Sequence, residues 1–240
     1  GNVVVDANGL PKISTTNKTL GKFTPDWTGG ISNTFSYRSL SLSFLIDASV
    51  GGSIFSNTNK TGKYTGVLAN TLSGRDAEHG GLWYYTDAMG NNVRLPESPS
   101  YSVSSDGLYY AQVNEQSTRV YQDGIMVEGV TESGSKNEEV VSAEKYYHRI
   151  YSIAEANVYD ASYVKLREVA LSYRLPRLWT QKLHLQEASV TLTGRNLWTI
   201  YKSVPNIDPE SALTTGNAQG VEAYSLPTTR SFGVNLSVKF

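Results

Sequence analysis

The sequence predicts an all-β fold, which is a soluble β-rich protein, a transmembrane β-barrel, or an antiparallel transmembrane β-barrel segment with long extracellular loops. Apolar and polar residues alternate along several segments, as in strands with two different faces. No apolar run approaches the roughly 18 residues of a membrane-spanning helix. Short and long connections alternate between the strands, which is the layout of an outer-membrane barrel.

Composition narrows the class of protein further. The 240 residues hold 21 Lys and Arg against 22 Asp and Glu, which argues against a polybasic protein that binds nucleic acid. The absence of cysteine excludes disulfides, thiolate catalysis and cysteine-ligated metals within this sequence. With 16 Tyr and 4 Trp against 6 Phe, most aromatic rings have a polar tip, which suits a boundary between apolar and wet layers.

The first two strands are predicted as a hairpin. Ile31, Phe35 and Tyr37 share one parity, although Asn33 falls out of the pattern. A stronger alternation runs over residues 40–50, and almost nothing separates the two segments. The run Val3-Val4-Val5 is compatible with the end of a further strand.

A third strand is predicted over residues 161–175. Its upper part breaks phase, because Lys165 and Arg167 would share the apolar face. Two explanations stay open: a bulge shifts the register, or this stretch rises above the apolar band. Pro176 ends the strand, and a short connection leads to a fourth strand over residues 188–200.

The last strand has the clearest alternation, between apolar residues and small or polar neighbours. The apolar members are Phe232, Val234, Leu236, Val238 and Phe240. We interpret this stripe, with its terminal aromatic residue, as a barrel-assembly signal; the simpler interpretation is a strand that happens to end there.

Aromatic residues near the strand ends predict two interfacial girdles. Their members are Tyr173 near the short turns, and Trp198 and Tyr201 near the long loops. Arg174, Arg195 and Glu187 would then face the polar lumen.

Three long connections are predicted, over residues 6–30, Asn57–Asp160 and Lys202–Thr228. Within the longest of them, Gln122–Ile125 has the composition of a hairpin turn. Residues 142–151 predict a short helix capped by Ser142.

The candidate substrate-binding residues lie in this longest loop. They are Arg75, Asp76, Trp83, Tyr84, Tyr85, Tyr109 and Tyr110. Flat rings stack on sugar faces, while Arg and Asp bind hydroxyl groups through directed hydrogen bonds. The alternative is that these rings pack the loop against its neighbours or belong to the aromatic belt.

The sequence predicts neither catalysis nor a metal or other cofactor. His79, His148 and His184 are far apart, and the cluster of Asp76, Glu78 and His79 is small for a metal site. No serine has a paired His and Asp on adjacent strand ends, so we do not expect an enzyme.

Seven blocks of the sequence resemble the barrel of SusC-like TonB-dependent transporters, in the order of that family. They are Pro25–Gly30, Asn33–Tyr37, Leu42–Asp47, Asp160–Val169, Gly194–Trp198, Asn206–Glu210 and Leu226–Phe232. Any one block is weak, but together they are specific. The stretch from Asn57 to Ser142 matches least, as an extracellular loop would.

The resemblance implies a 22-stranded barrel in the bacterial outer membrane, closed by an N-terminal plug and capped by a SusD-like surface lipoprotein. Such transporters import oligosaccharides or peptides with energy delivered by TonB. Residues 1–240 would then be the C-terminal section of a longer chain, with five or six strands and without the plug or the TonB-contacting segment. The lipoprotein would dock on the loops Asn57–Asp160 and Lys202–Thr228.

A different class of protein remains as the alternative, a soluble β-sandwich acting as a carbohydrate-binding module. It would show the same alternation, but its apolar face would point inward and be buried.

Overall fold

The computed structural model describes residues 2–214, 216 and 218–240, and the chain forms two compact units. The sheet unit comprises Leu20–Thr58 and Val158–Phe240. The loop unit comprises the described residues of Gly1–Thr19 and Asn59–Asn157.

The strands, in chain order, are β1 (Trp27–Tyr37), β2 (Leu40–Val50), β3 (Ser53–Ser56), β4 (Leu82–Thr86), β5 (Asn92–Arg94), β6 (Tyr101–Val103), β7 (Tyr109–Val113), β8 (Gln116–Ile125), β9 (Val141–Ser142), β10 (Val158–Asp160), β11 (Tyr163–Arg174), β12 (Glu187–Lys202), β13 (Val221–Glu222) and β14 (Ser231–Lys239). The α-helices are α1 (Asn57–Tyr64), α2 (Ala143–Ser152) and α3 (Arg177–Lys182). Two short 3₁₀ turns lie at Ala69–Thr71 and Glu155–Asn157. No helix among the described residues is long and apolar enough to cross a membrane.

The sheet unit is built on a five-stranded antiparallel sheet in the order β1-β2-β11-β12-β14. The alternation predicts all five of these strands. The two short connections, β1–β2 and β11–β12, lie at the same end of the sheet. The extra strand suggested at Val3–Val5 is wrong, because Val4 and Val5 form only isolated bridges to Val130 and Pro11. A smaller sheet, in the order β10-β3-β13, completes the unit.

Cross-strand register sorts the side chains of the large sheet onto two faces, since residues directly opposite in an antiparallel pair share a face. One row across all five strands contains Phe35, Leu42, Leu171, Leu192 and Val234. The next row contains Tyr37, Leu40, Tyr173, Val190 and Leu236. We call the surface formed by these rows the apolar face. The opposite surface, the polar face, has rows such as Ser36, Ser41, Ser172, Thr191 and Asn235.

The apolar face is exposed. Ile31, Leu192, Phe232 and Val234 keep 68%, 51%, 79% and 73% of their surface accessible. A contiguous apolar surface across five strands is far more than a water-exposed sheet normally presents, so it marks a contact with an apolar phase or partner. A sandwich would have buried this face.

The phase break in β11 is a bulge, the first of the two explanations left open. The pairing of β11 with β2 shifts between Leu166 and Glu168, so Arg167 is the extra residue. Because of this insertion Lys165 and Glu168 both fall on the polar face, opposite Asp47 and Leu45. The charged residues therefore leave the apolar pattern without ending the strand.

The sheet is open. Within the described residues β1 and β14 are its two edges, and each pairs with one neighbour only. The predicted barrel segment is thus an open five-stranded sheet and not a closed barrel.

The long connection predicted over Asn57–Asp160 contains more regular structure than the hairpin turn and the short helix predicted within it. It contains a second sheet in the order β5-β4-β8-β7-β6, with β9 paired to β8. Trp83, Ala111 and Val120 form its buried core. Helix α2 confirms the predicted helix, and the Ser142 hydroxyl accepts a hydrogen bond from the Lys145 amide at 3.3 Å.

The hairpin turn predicted at Gln122–Ile125 is wrong, because β8 runs straight through it. A Cβ on Gly124 would lie 2.6 Å from the Leu82 carbonyl oxygen, so this glycine permits close strand packing instead of a turn. The actual turn is Asn114-Glu115, where both residues have positive φ values of 50° and 64°. Such a two-residue turn matches the twist of the strands that it joins.

The turn predicts a stabilising substitution. Glu115 has a Cβ in a left-handed conformation that glycine adopts without strain, so we expect Glu115→Gly to stabilise the β7–β8 hairpin by about 0.5–1 kcal/mol. Hydrogen exchange of the β7 and β8 amides would report this as slower exchange. Glu115→Ala is the control, since it removes the carboxylate and keeps the Cβ; equal exchange in both variants would refute the backbone explanation.

Candidate functional site

A cleft of about 320 Å³ in the loop unit brings together three of the predicted binding residues, Arg75, Asp76 and Tyr109. The charged and aromatic side chains that join them are Arg119, Tyr121 and Asp123. These three residues occupy alternate positions of β8, separated by Val120 and Gln122. That alternation could have identified them in the sequence, but the supposed turn at 122–125 obscured it.

Fixed charges of both signs line the cleft. His79 donates to Asp76 from its backbone amide at 2.9 Å, and its Nδ1 lies 2.7 Å from the carboxylate. The side-chain bond from His79 is the main cause that lowers the pKa of Asp76. The Arg119 guanidinium lies 4.7 Å from the centre of the Tyr121 ring. The cleft thus offers a carboxylate, a guanidinium and an aromatic ring to a polar ligand.

Trp83 and Tyr84 lie in the packed interior beside the cleft. Trp83 is 9% exposed, and its ring centre is 5.7 Å from that of Tyr109. The Tyr84 hydroxyl donates to Asp123 at 3.1 Å, and burial followed by the Asp123 charge raises the pKa of this phenol. These buried rings contact Tyr109 and Asp123 of the cleft lining, which agrees with the alternative that they pack the loop. Their contact with a ligand stays a prediction.

The remaining predicted residues have different surroundings. Tyr85 packs against the core formed by Trp83, Ala111 and Val120. Tyr110 pairs with Arg119 across β7 and β8. Arg75 donates from Nη2 to the Gly66 carbonyl at 2.6 Å and to the Thr71 hydroxyl at 3.0 Å.

Among the residues described, no group of three or more His, Asp and Glu is arranged to hold a metal ion.

The sheet unit contains a buried ionic cluster that the sequence analysis missed. Lys165 has only 2% of its surface accessible, and its Nζ lies 2.6 Å from both Asp208 Oδ1 and Glu210 Oε2. Arg167, the bulge residue, donates from Nε to Asp47 at 2.8 Å and from Nη2 to Glu210. We call these five residues the loop clamp, because they attach the connection between β12 and β14 to β11.

Asp208 is the centre of the loop clamp. Burial tends to raise its pKa, but hydrogen bonds from Lys165 and from the Thr228 hydroxyl outweigh burial and hold the pKa at about 2. The Glu210 amide also donates to Asp208, at 3.0 Å. Asp208 is therefore a carboxylate at neutral pH, and three blocks of the family resemblance, 160–169, 206–210 and 226–232, meet around it.

The predicted girdle residues lie on the apolar face. Tyr173 is opposite Leu40 at the end with the tight connections, whereas Trp198 and Tyr201 are opposite Leu166 and Val164 toward the other end. The predicted lumen residues lie on the polar face, where Arg174 pairs with Glu187 and Arg195 with Glu168, both at 2.9 Å. Phe232, Val234, Leu236 and Val238 are exposed along β14. Roles in a membrane interface or in assembly stay predictions.

The large antiparallel sheet has one exposed apolar face and one polar face, and it is open at β1 and β14. No family model matches the chain. The chain is 25% identical over 247 residues to the TonB-dependent receptor P3 of Formosa agariphila. This match covers 100% of the chain and 19% of the relative. It confirms the resemblance to TonB-dependent transporters, of which the SusC-like proteins are the branch that the motifs indicate.

Solved structures of the RagAB peptide importer are also similar to the chain. In the open-open state the match has 17% identity, covers 91% of this chain and 17% of that one, and has a TM-score of 0.44. In the closed-closed state it has 18% identity, covers 99% and 21%, and has a TM-score of 0.46. The chain thus spans about a fifth of the length of the relatives that it matches.

Proposed function

We propose that this chain is the C-terminal part of the barrel wall of a SusC-like outer-membrane importer, and that it does no chemistry on its substrate. The observation that carries the proposal is the apolar face, which extends in register across all five strands. Lipid tails satisfy such a face, while the polar face with its Arg–Glu pairs suits a water-filled lumen. The similarity of the whole of this chain to 19% of a TonB-dependent receptor supports the same function.

The open edges of the sheet support the view that these residues belong to a larger barrel. Unpaired N–H and C=O groups cost several kcal/mol each in hydrocarbon, so β1 and β14 need further strands as partners. In the proposed transporter, the rest of the same polypeptide provides these strands together with the plug and the TonB contact.

Uptake would involve a partner on the outside of the cell. We assign the docking of a SusD-like lipoprotein to the loops Asn57–Asp160 and Lys202–Thr228, on the grounds of their length and position. The transported substrate is an oligosaccharide or a peptide. The cleft of the loop unit would make first contact with it, through Asp76, Arg119 and the ring of Tyr109.

The native polypeptide tests the main proposal. We expect outer-membrane fractions to yield, after detergent extraction, a polypeptide several times heavier than these 240 residues, which copurifies with a surface lipoprotein. A species of 26.3 kDa that is soluble without detergent would overturn the membrane assignment and favour the binding module.

The cleft makes a separate prediction. Arg119→Gln and Asp76→Asn each replace a charged hydrogen-bonding group by a neutral amide, so we expect either one to weaken binding about tenfold, the effect of roughly 1.4 kcal/mol. Calorimetric titration of the full-length protein with neutral oligosaccharides and with a mixed peptide digest measures this. Arg94→Gln is the matched control, because Arg94 is an exposed arginine of β5 outside the cleft. Unchanged binding in both cleft variants would remove the cleft from the transport path.

A further inference from the structure

Helix α3 leaves three apolar side chains uncovered. It forms half of the short connection between β11 and β12. Thr180 is buried, while Leu178 and Trp179 of the helix and its C-cap residue Leu183 are exposed. Leu178 keeps 74% of its surface accessible. One exposed leucine is ordinary, but two leucines and a tryptophan within six residues form a patch that needs a partner.

The apolar face of the large sheet extends toward this connection. Tyr37, Leu40 and Tyr173 form one row of this face near this end, and all three are exposed. In the next row Val238 is exposed and Ala188 is buried. The chain passes from Tyr173 through Leu175, which keeps the apolar parity, into the helix. Exposed apolar residues thus lie on both sides of the half-buried Leu175, in the strands and in the connection.

The same end of the sheet is positively charged. Across residues 36–41, 172–189 and 236–240 the basic side chains are Arg38, Arg174, Arg177, Lys182 and Lys239. Glu187 is the one acidic side chain in these segments, and it pairs with Arg174. Basic residues flanking Trp and Leu on a short helix are typical of segments that lie in a membrane interface.

We propose that α3 is a membrane-interface anchor that binds anionic phospholipid headgroups. Leu178, Trp179 and Leu183 lie at the boundary of the acyl chains, and Arg177 and Lys182 contact lipid phosphates. The inference rests on the proposed function, since it requires lipid against the apolar face, but it adds a specific lipid contact at the end with the short turns. The anchor would fix the depth of β11 and β12 in the bilayer.

Spin labels measure the depth directly. The 240 residues contain no cysteine, so Trp179→Cys, Leu183→Cys and Leu192→Cys each place one nitroxide label in this segment. In full-length protein in nanodiscs, we expect the Leu192 label to be accessible to oxygen and shielded from a nickel chelate. The labels at 179 and 183 should show intermediate ratios of the two accessibilities. Adding phosphatidylglycerol to phosphatidylcholine discs should slow the motion of the α3 labels, and Arg177→Gln with Lys182→Gln should abolish that response.

The outcomes separate the two proposals. If the Leu192 label lies in hydrocarbon but the α3 labels are fully accessible to the nickel chelate, the anchor is wrong and the barrel wall stands. If the α3 labels are shielded from both reagents, a protein segment covers the helix and the anchor is again wrong. If the Leu192 label itself is in water, the barrel-wall proposal fails.

Discussion

Lys165→Met is expected to lower the free energy of unfolding by about 3–5 kcal/mol, the largest single effect that we predict. The substitution removes the cation that lies 2.6 Å from Asp208 and from Glu210 while leaving both carboxylates in place. Breaking a buried pair by removing one partner is costly because the remaining charge is uncompensated. Denaturant titration of the full-length protein in detergent measures the change, with amide exchange over residues 206–210 as a local readout.

The control is a second ion pair of the same sheet, which is exposed to solvent and therefore screened. Arg195 pairs with Glu168 at 2.9 Å, and its side chain is 65% exposed, so Arg195→Met should cost less than about 1 kcal/mol. If the two substitutions cost the same, the loop clamp contributes no more than a surface pair, and the connection between β12 and β14 must be held by other contacts.

Leu192→Arg should cost about 2–4 kcal/mol if the apolar face meets lipid, the second large effect. Leu192 lies between Leu171 and Val234 in the middle of that face, and an arginine near the bilayer midplane is penalised by this amount. Folding of the full-length protein into lipid vesicles from denaturant measures the penalty.

Thr193→Arg is the matched control, because it inserts the same side chain one residue later. Thr193 lies opposite Ala170 and Gly233 on the polar face. We expect this variant to fold within about 1 kcal/mol of the parent protein. Equal penalties at 192 and 193 would show that the two faces do not differ in their surroundings.

The large sheet could be predicted from the sequence because each of its strands is long and two-faced. The alternation in β2 and β14 predicts both the strand and the face of its residues, with Leu45 on the polar face as the exception. Even the bulge was visible, as Lys165 and Arg167 in an apolar series, although only the register shows that Arg167 is the inserted residue. Local pattern and tertiary structure agree in this sheet because one rule, apolar side chains on one face, governs both.

The loop unit could not be predicted in the same way. Strands such as β5 and β6 have three residues each, too few for a period to emerge. Asp123-Gly124 has the composition of a turn, yet tertiary packing places it inside a strand. The loop clamp is equally invisible to local pattern, because Lys165 meets partners 43 and 45 residues away, and Arg167 meets one 120 residues away.

The pairing of β3 with β10 has a consequence for how such a protein diversifies. Phe55 lies opposite Val158 and Ser53 opposite Asp160, so the chain leaves the sheet unit and returns to it at adjacent points. The residues between β3 and β10 therefore form an insertion, and the pairing of these two strands holds its ends together. A lineage could therefore replace this inserted segment as a whole, while the five-stranded sheet keeps its strand number and register.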